Sequence, residues 1–234
     1  MVVCFFTAMT DSGSGLILVP IFTWCGLTPV QAIAAHKFEA TVWTAASAIR
    51  YIRSNQVLRT DLAWYVVLGC LGTIIGARFI HLVSNESLRT IVGVAILAVS
   101  CSMILLRRKK STAPFTARKR IFVASMMFFF GIYEGILGSG NGYFMAALFL
   151  SLTATDELKL VGMITVTAAA WNFAAVCTHF TLGSLVFHFA IPVSIGAAVG
   201  AWFGASFAIK KGAGFVRWII IGGALLAGLA LLIY

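Results

Sequence analysis

The chain has 234 residues, 61 % of them hydrophobic and only 10 % charged, with a mean hydropathy of +1.00, whereas a soluble domain has roughly a quarter of its residues charged. No globular core of this size hides so much apolar surface, so lipid must be the solvent. The formal net charge of +10 does not point to nucleic acid, because the basic residues lie mostly in short segments between apolar runs, as the positive-inside rule describes.

The first stretch, 1–27, opens on an apolar run without a basic n-region or a small-residue cleavage site. It is expected to begin a membrane segment and not to be a signal peptide. Asp11-Ser12-Gly13-Ser14-Gly15 interrupts it. A helix is predicted over 29–53, with Thr28 as its cap and Pro29 at its first position. Helices over 62–83 and 88–107 follow, separated by the cap-forming Ser84-Asn85-Glu86. A basic segment then runs from 107 to 120. The second interrupted stretch, 121–154, contains Gly138-Ser139-Gly140-Asn141-Gly142. Thr155-Asp156 precedes a helix over 158–180, and Lys210-Lys211-Gly212 ends the next, over 185–209, with cations at its C-terminal dipole. A last helix covers 216–234. No Asp, Glu, Lys or Arg occurs over 160–209, room for two spans of about 20 residues each.

Two anchors reveal a repeat. Ser12-Gly13-Ser14-Gly15 matches Ser139-Gly140-Asn141-Gly142 at an offset of 127. Gly72-Thr73-Ile74-Ile75-Gly76-Ala77 matches Gly200-Ala201-Trp202-Phe203-Gly204-Ala205 at an offset of 128. The expected fold is therefore an all-α polytopic membrane helix bundle of two related halves, each with a glycine-broken or re-entrant segment. Its parts are an N-terminal repeat at 1–107, a basic cytoplasmic linker at 108–120 and a C-terminal repeat at 121–234.

Charge bears on the orientation of the halves. If each broken segment crosses once, the halves are parallel and the basic residues divide ten against six across the membrane. If each enters and returns, the halves are inverted and the division is fourteen against two, with only Arg78 and Arg89 outside. The positive-inside rule favours the inverted arrangement, a common build for secondary transporters.

A helix that restarts after a glycine break, at Leu16 or Tyr143, presents free N–H groups at a positive dipole end, which attracts anions. Two such ends could meet around one substrate; the glycines could equally serve close helix packing alone. The candidate substrate contacts are Gly13, Ser14, Gly15, Gly140, Asn141, Gly142 and Tyr143, with Lys37 supplying positive charge and mid-helix Asn172 a polar group. Glu134, or secondarily Glu39, is the candidate proton carrier. Intramembrane charges are costly and must face a partner or a cavity. Lys37 and Glu39 are two residues apart on one helix, so they are not expected to pair with each other. His36, His179 and His188 have a weaker claim, as a proton relay or as packing residues. Gly72, Gly76, Gly196, Gly200 and Gly204 form small-residue series suited to helix packing. Trp64 and Trp218, at segment starts, suit interface anchors. The five cysteines, Cys4, Cys25, Cys70, Cys101 and Cys177, lack metal-ligand spacing and read as packing residues. No metal, cofactor or enzyme motif is expected.

The segment SGSGLILVPIFTWCGLTPVQAIAAHKFEATVWTAASAIRYIRSNQV at 12–57 and GIYEGILGSGNGYF at 131–144 resemble the sulfite exporter TauE/SafE family of transporters. The resemblance spans nearly the whole chain and is most specific at Gly131, Tyr133, Gly135, Gly138, Gly140 and Gly142. The first break is poorer in glycine than is usual in the family. The resemblance implies a secondary transporter of a small sulfur-containing anion, sulfite or an organosulfonate, in the bacterial cytoplasmic membrane, and an acid at the position of Glu134. The partners are then the small anion and the bilayer. The sequence leaves open a homo-oligomer, a passive anion channel and a membrane scaffold protein without flux.

Overall fold

The computed structural model describes residues 1–80, 116–136, 140–153 and 155–233. The helix expected at 88–107, most of the linker, Gly138, Ser139 and Cys101 lie outside these residues. Nine helices are described: α1 (Val2–Thr7), α2 (Ser14–Trp24), α3 (Pro29–Arg53), α4 (Leu62–Phe79), α5 (Ala117–Ile136), α6 (Asn141–Leu152), α7 (Glu157–Thr181), α8 (Phe187–Lys211) and α9 (Ala213–Ile233). Among them α4, α7 and α8 are long and apolar enough to cross a membrane. The protein is an all-α, multi-pass membrane helix bundle.

The helix starts follow from local chemistry. Thr28 and Gln31 form a reciprocal capping box ahead of α3, with Pro29 at the first position. The Asp156 carboxylate accepts the Leu158 and Lys159 amides ahead of α7. These two 25-residue helices are equivalent at an offset of 128. Gly212, at φ +82°, stops α8. Trp64 and Trp218 are largely exposed near the starts of α4 and α9, as interface anchors should be.

Both interrupted stretches fold back as hairpins. In the second, Phe144 of α6 stacks on Phe130 and meets Tyr133 edge-on, both from α5. Phe149 then reaches Tyr65 in the first turn of α4. The start of α4 also holds the start of α5, because Asp61 and Arg120 form a two-pronged ion pair. α6 therefore returns to the end from which α5 entered. In the first, α1 runs alongside α8 in the same direction, and α2 returns to place Phe22 against Phe189 near the start of α8.

Glycine seams join the halves reciprocally. A Cβ on Gly72 or Gly76 of α4 would land on the carbonyls of Phe128 and Ile132 in α5. A Cβ on Gly200 or Gly204 of α8 would land on those of Met1 and Phe5 in α1. The pairs are equivalent under the repeat, so the glycine helix of each half packs on the entering helix of the other. At the centre α3 and α7 run antiparallel. Lys37, early in α3, bonds Asn172, late in α7, while Leu58 beyond the end of α3 bonds Lys159 at the start of α7. Arg50 bonds Ser206 near the end of α8 and, with Arg53, lies over the Trp202 ring. These links gather the described basic residues, apart from buried Lys37, at one end of the bundle; Arg78 alone lies at the other.

Gly204→Leu should force α8 away from the α1 backbone, because no side chain there can yield. A loss of about 1–3 kcal/mol is expected, read as a lowered midpoint of thermal unfolding in detergent. Gly214→Ala, where nothing lies within contact distance, should leave the midpoint within about 0.5 kcal/mol of the parent.

Candidate functional site

The two hairpin tips touch. Gly142 packs on the Asp11 carbonyl, and the Tyr143 hydroxyl sits over Gly13. Each tip turns on a glycine of nearly the same left-handed conformation, Gly13 at φ 92° and ψ −5° and Gly140 at φ 85° and ψ −4°. A side chain at either position would be strained. The helices restart at Ser14 and Asn141, earlier than the expected Leu16 and Tyr143, because these glycines already act as N-caps. No side chain caps either helix, so both positive ends stay directed at the junction.

A cavity of about 30 Å³ lies at this junction, room for about two waters. Gly13, Ser14, Gly140, Asn141, Gly142, Glu134 and Asn172 of the expected set line it. Gly15 and Tyr143 do not; Tyr143 closes the junction from behind, its hydroxyl lying between Gly13 and Gly223 of α9. Lys37 is fully buried just outside the cavity wall, where its Nζ donates to Glu134 Oε1 at 2.6 Å and to Asn172 Oδ1 at 3.3 Å. The Asn172 amide nitrogen donates to the Ala168 carbonyl, which fixes its oxygen toward the lysine. Three elements, α3, α5 and α7, thus meet at one ion pair. Its desolvation is compensated only while both partners are present.

Glu39 does not reach the cavity. One carboxylate oxygen accepts the Cys4 thiol at 2.8 Å and the other lies 3.2 Å from His36 Nδ1. Cys4 is therefore a hydrogen-bonding residue as well as a packing one. Lys37 and Glu39 do not pair, in keeping with their spacing. Of the histidines, His36 lines the cavity, and His179 holds Ser184 in the turn after α7.

Among the lining residues that were not singled out as site residues from the sequence, Ser12, Trp43 and Thr44 carry hydrogen-bonding side chains. Trp43 was accessible to repeat analysis, since it aligns with Trp171 at the same offset of 128 as the glycine seams. Asp11, noted only as adjoining the first break, also lines the cavity, and its Oδ1 has no hydrogen-bond partner among the described residues.

Replacing one member of the buried pair leaves the other uncompensated. Lys37→Met and Glu134→Gln should each destabilise the protein, by up to about 3–5 kcal/mol. The double variant should recover more than half of that loss. Thermal unfolding of the four proteins in detergent measures the coupling, and simple additivity would show that the pair does not act as a unit.

The sulfite exporter TauE/SafE profile matches residues 1–231 of the chain. A protein of Sinorhizobium sp described as "Probable membrane transporter protein ORF9" is 21 % identical over 94 % of this chain and 86 % of its own length. The "Probable membrane transporter protein YfcA" of Escherichia coli K12 is 24 % identical over 94 % of this chain and 84 % of its own. No solved structure matches the chain. With its glycine-broken hairpins and a family match that runs almost from end to end, this chain is a membrane transporter that belongs to the sulfite exporter TauE/SafE family.

Proposed function

We propose that the transporter carries a small sulfur-containing oxyanion, sulfite or an organosulfonate, across the bacterial cytoplasmic membrane together with a proton, and that the anion binds where the two hairpin tips meet. The observation that carries this reading is the Lys37–Glu134 pair set behind a cavity walled by two uncapped helix N-termini. The dipole ends favour a negative guest, and among the described residues the lysine is the one buried amine beside the cavity.

Charge balance supplies the coupling. With Glu134 ionised, Lys37 is already neutralised, so an added anion leaves the pair with net negative charge, and the Asp11 carboxyl on the cavity wall admits the anion only when it is itself protonated. Two like charges about 4 Å apart at an effective dielectric of 20 repel by about 4 kcal/mol. A proton on Glu134 removes that repulsion and releases the lysine to the anion, so anion and proton are taken up together. The cavity holds about two waters, so the tips must part to admit an oxyanion. The arrangement described is then a closed state between two open ones.

The hairpins support alternating access. They approach the junction from opposite ends of the bundle, and their halves pack through reciprocal seams. We assign the halves an inverted orientation in the membrane, with the basic end in the cytoplasm. The antiparallel course of α3 and α7 and the gathering of basic residues at one end support this orientation.

Thermal unfolding of the purified protein across sulfite, methanesulfonate, sulfate and acetate tests the substrate class, because a ligand of the native state raises its apparent stability. Sulfite or the sulfonate should stabilise most and acetate least; no stabilisation by any of them would overturn the reading. In proteoliposomes an inward proton gradient should accelerate sulfite uptake by the parent protein. Lys37→Met should abolish uptake, and Glu134→Gln should leave exchange that no longer responds to the gradient. Parent flux indifferent to the gradient would mark a passive channel instead.

A further inference from the structure

The two halves use equivalent tryptophans differently. Trp171, in α7, donates its indole N–H to the carbonyls of Tyr65 at 3.2 Å and Val66 at 3.3 Å in α4. It can do so because Gly69 has no side chain: a Cβ there would fall within the Trp171 ring. Trp43 is the same residue in the other half, on α3 against α8. The position equivalent to Gly69 is Ala197, and Trp43 packs against it together with Ala201, Ala40, Cys4 and Ala8. The alanine methyl fills the seat that the Trp171 ring occupies in its own half. Trp43 makes no bond to α8 like the one that Trp171 makes to α4, and it lines the cavity between the hairpin tips.

Its nitrogen is left without an acceptor. Trp43 is 3 % exposed, and its Nε1 has no hydrogen-bond partner among the described residues. A buried donor without an acceptor costs about 1–3 kcal/mol, and Trp171 shows that this fold can satisfy an indole at the same position. Three further unpartnered polar atoms belong to lining residues from the two tips, Asp11 Oδ1, Ser12 Oγ and Asn141 Oδ1; the Asp11 carboxyl can face an anion only when it carries a proton. At the resolution of an amide's two ends, Asn141 can present either its oxygen or its nitrogen to the cavity. An indole N–H only donates, so whatever it serves must accept.

We propose that Trp43 is a substrate-binding residue whose indole N–H donates to an oxygen of the transported anion, with Ser12 and Asn141 donating from the two tips. This rests on the anion reading above and adds a specificity device to it. Donors on three elements, α3 and the two tips, match an anion with three terminal oxygens, such as sulfite or a sulfonate, better than a carboxylate with two. The second half's tryptophan is withdrawn from this task by Gly69, so the site has one indole and not two. One substitution between the repeats, glycine in the first half and alanine in the second, produces the difference.

The test uses the full-length transporter labelled with 5-fluorotryptophan. Its six tryptophans give separate fluorine resonances, each assigned by the signal lost on single replacement, so Trp43 is also identified by elimination if its own variant does not purify. Sulfite should shift the Trp43 resonance and leave that of Trp171 in place. Trp43→Phe, which keeps a ring but removes the donor, should weaken sulfite binding by about tenfold or more and reduce the preference for sulfite over acetate. Sulfite that stabilises the parent while leaving the Trp43 resonance unmoved would overturn this inference and spare the anion reading. So would a Trp43→Phe variant with unchanged affinity and selectivity. A parent protein that no anion of the panel stabilises would overturn the anion reading, and this inference with it.

Discussion

A bilayer offers no hydrogen bonds to an interrupted helix. Every unusual feature of this protein answers that constraint. The two breaks lie against each other, so each shelters the other's exposed backbone from lipid. Their approach needs glycine on both sides: Gly13 lies under the Tyr143 hydroxyl, and Gly142 lies against the Asp11 carbonyl. The seams at Gly72, Gly76, Gly200 and Gly204 bring the entering helices close enough to hold the tips there. Cavity, ion pair and helix ends are all consequences of two interruptions that protect each other.

Much of this was legible in the sequence because it is local or periodic. The caps at Thr28 and Asp156, the stop at Gly212 and the small-residue seams follow from residues a few positions apart. The correspondence between the two stretches is read from anchors whose offsets, 127 and 128, differ by one residue. The pairing of the buried charges was not legible. Lys37 finds Glu134 on a helix 97 residues away, whereas Glu39 finds a thiol on α1 and an imidazole on its own helix. Nothing in spacing distinguishes these outcomes; the packing of α3 against α5, α7 and α1 decides them. The helix restarts were misplaced by two residues because a left-handed glycine was read as a break when it serves as the cap.

Positions matched at the offsets of 127 and 128 carry different chemistry. Lys37 is matched by Thr165, Asn172 by Thr44 and Glu134 by Thr7. Hydroxyls stand in one half where charged or amide groups stand in the other, and the Thr7 hydroxyl has no hydrogen-bond partner among the described residues. Thr165 and Thr44 both donate to carbonyls four residues back. Among the described residues, Lys37 and Glu134 are the one buried lysine–carboxylate pair. A symmetric set of two lysines and two acids in one small cavity would demand twice the desolvation for the same guest.

The reciprocal seams also bear on how the protein is made. The seat of α1 is formed by Gly200 and Gly204, in the last fifth of the chain. A ribosome delivers the first hairpin long before those glycines exist, and its broken tip has no sheltered position until they arrive. α4 likewise lacks its partner until α5 emerges, but that wait is shorter. α1 is therefore seated only after most of the chain that follows it has been made. During that interval the insertion machinery, or water at the bilayer surface, must shelter the tip, which makes the α1–α2 hairpin the natural point of failure in biogenesis.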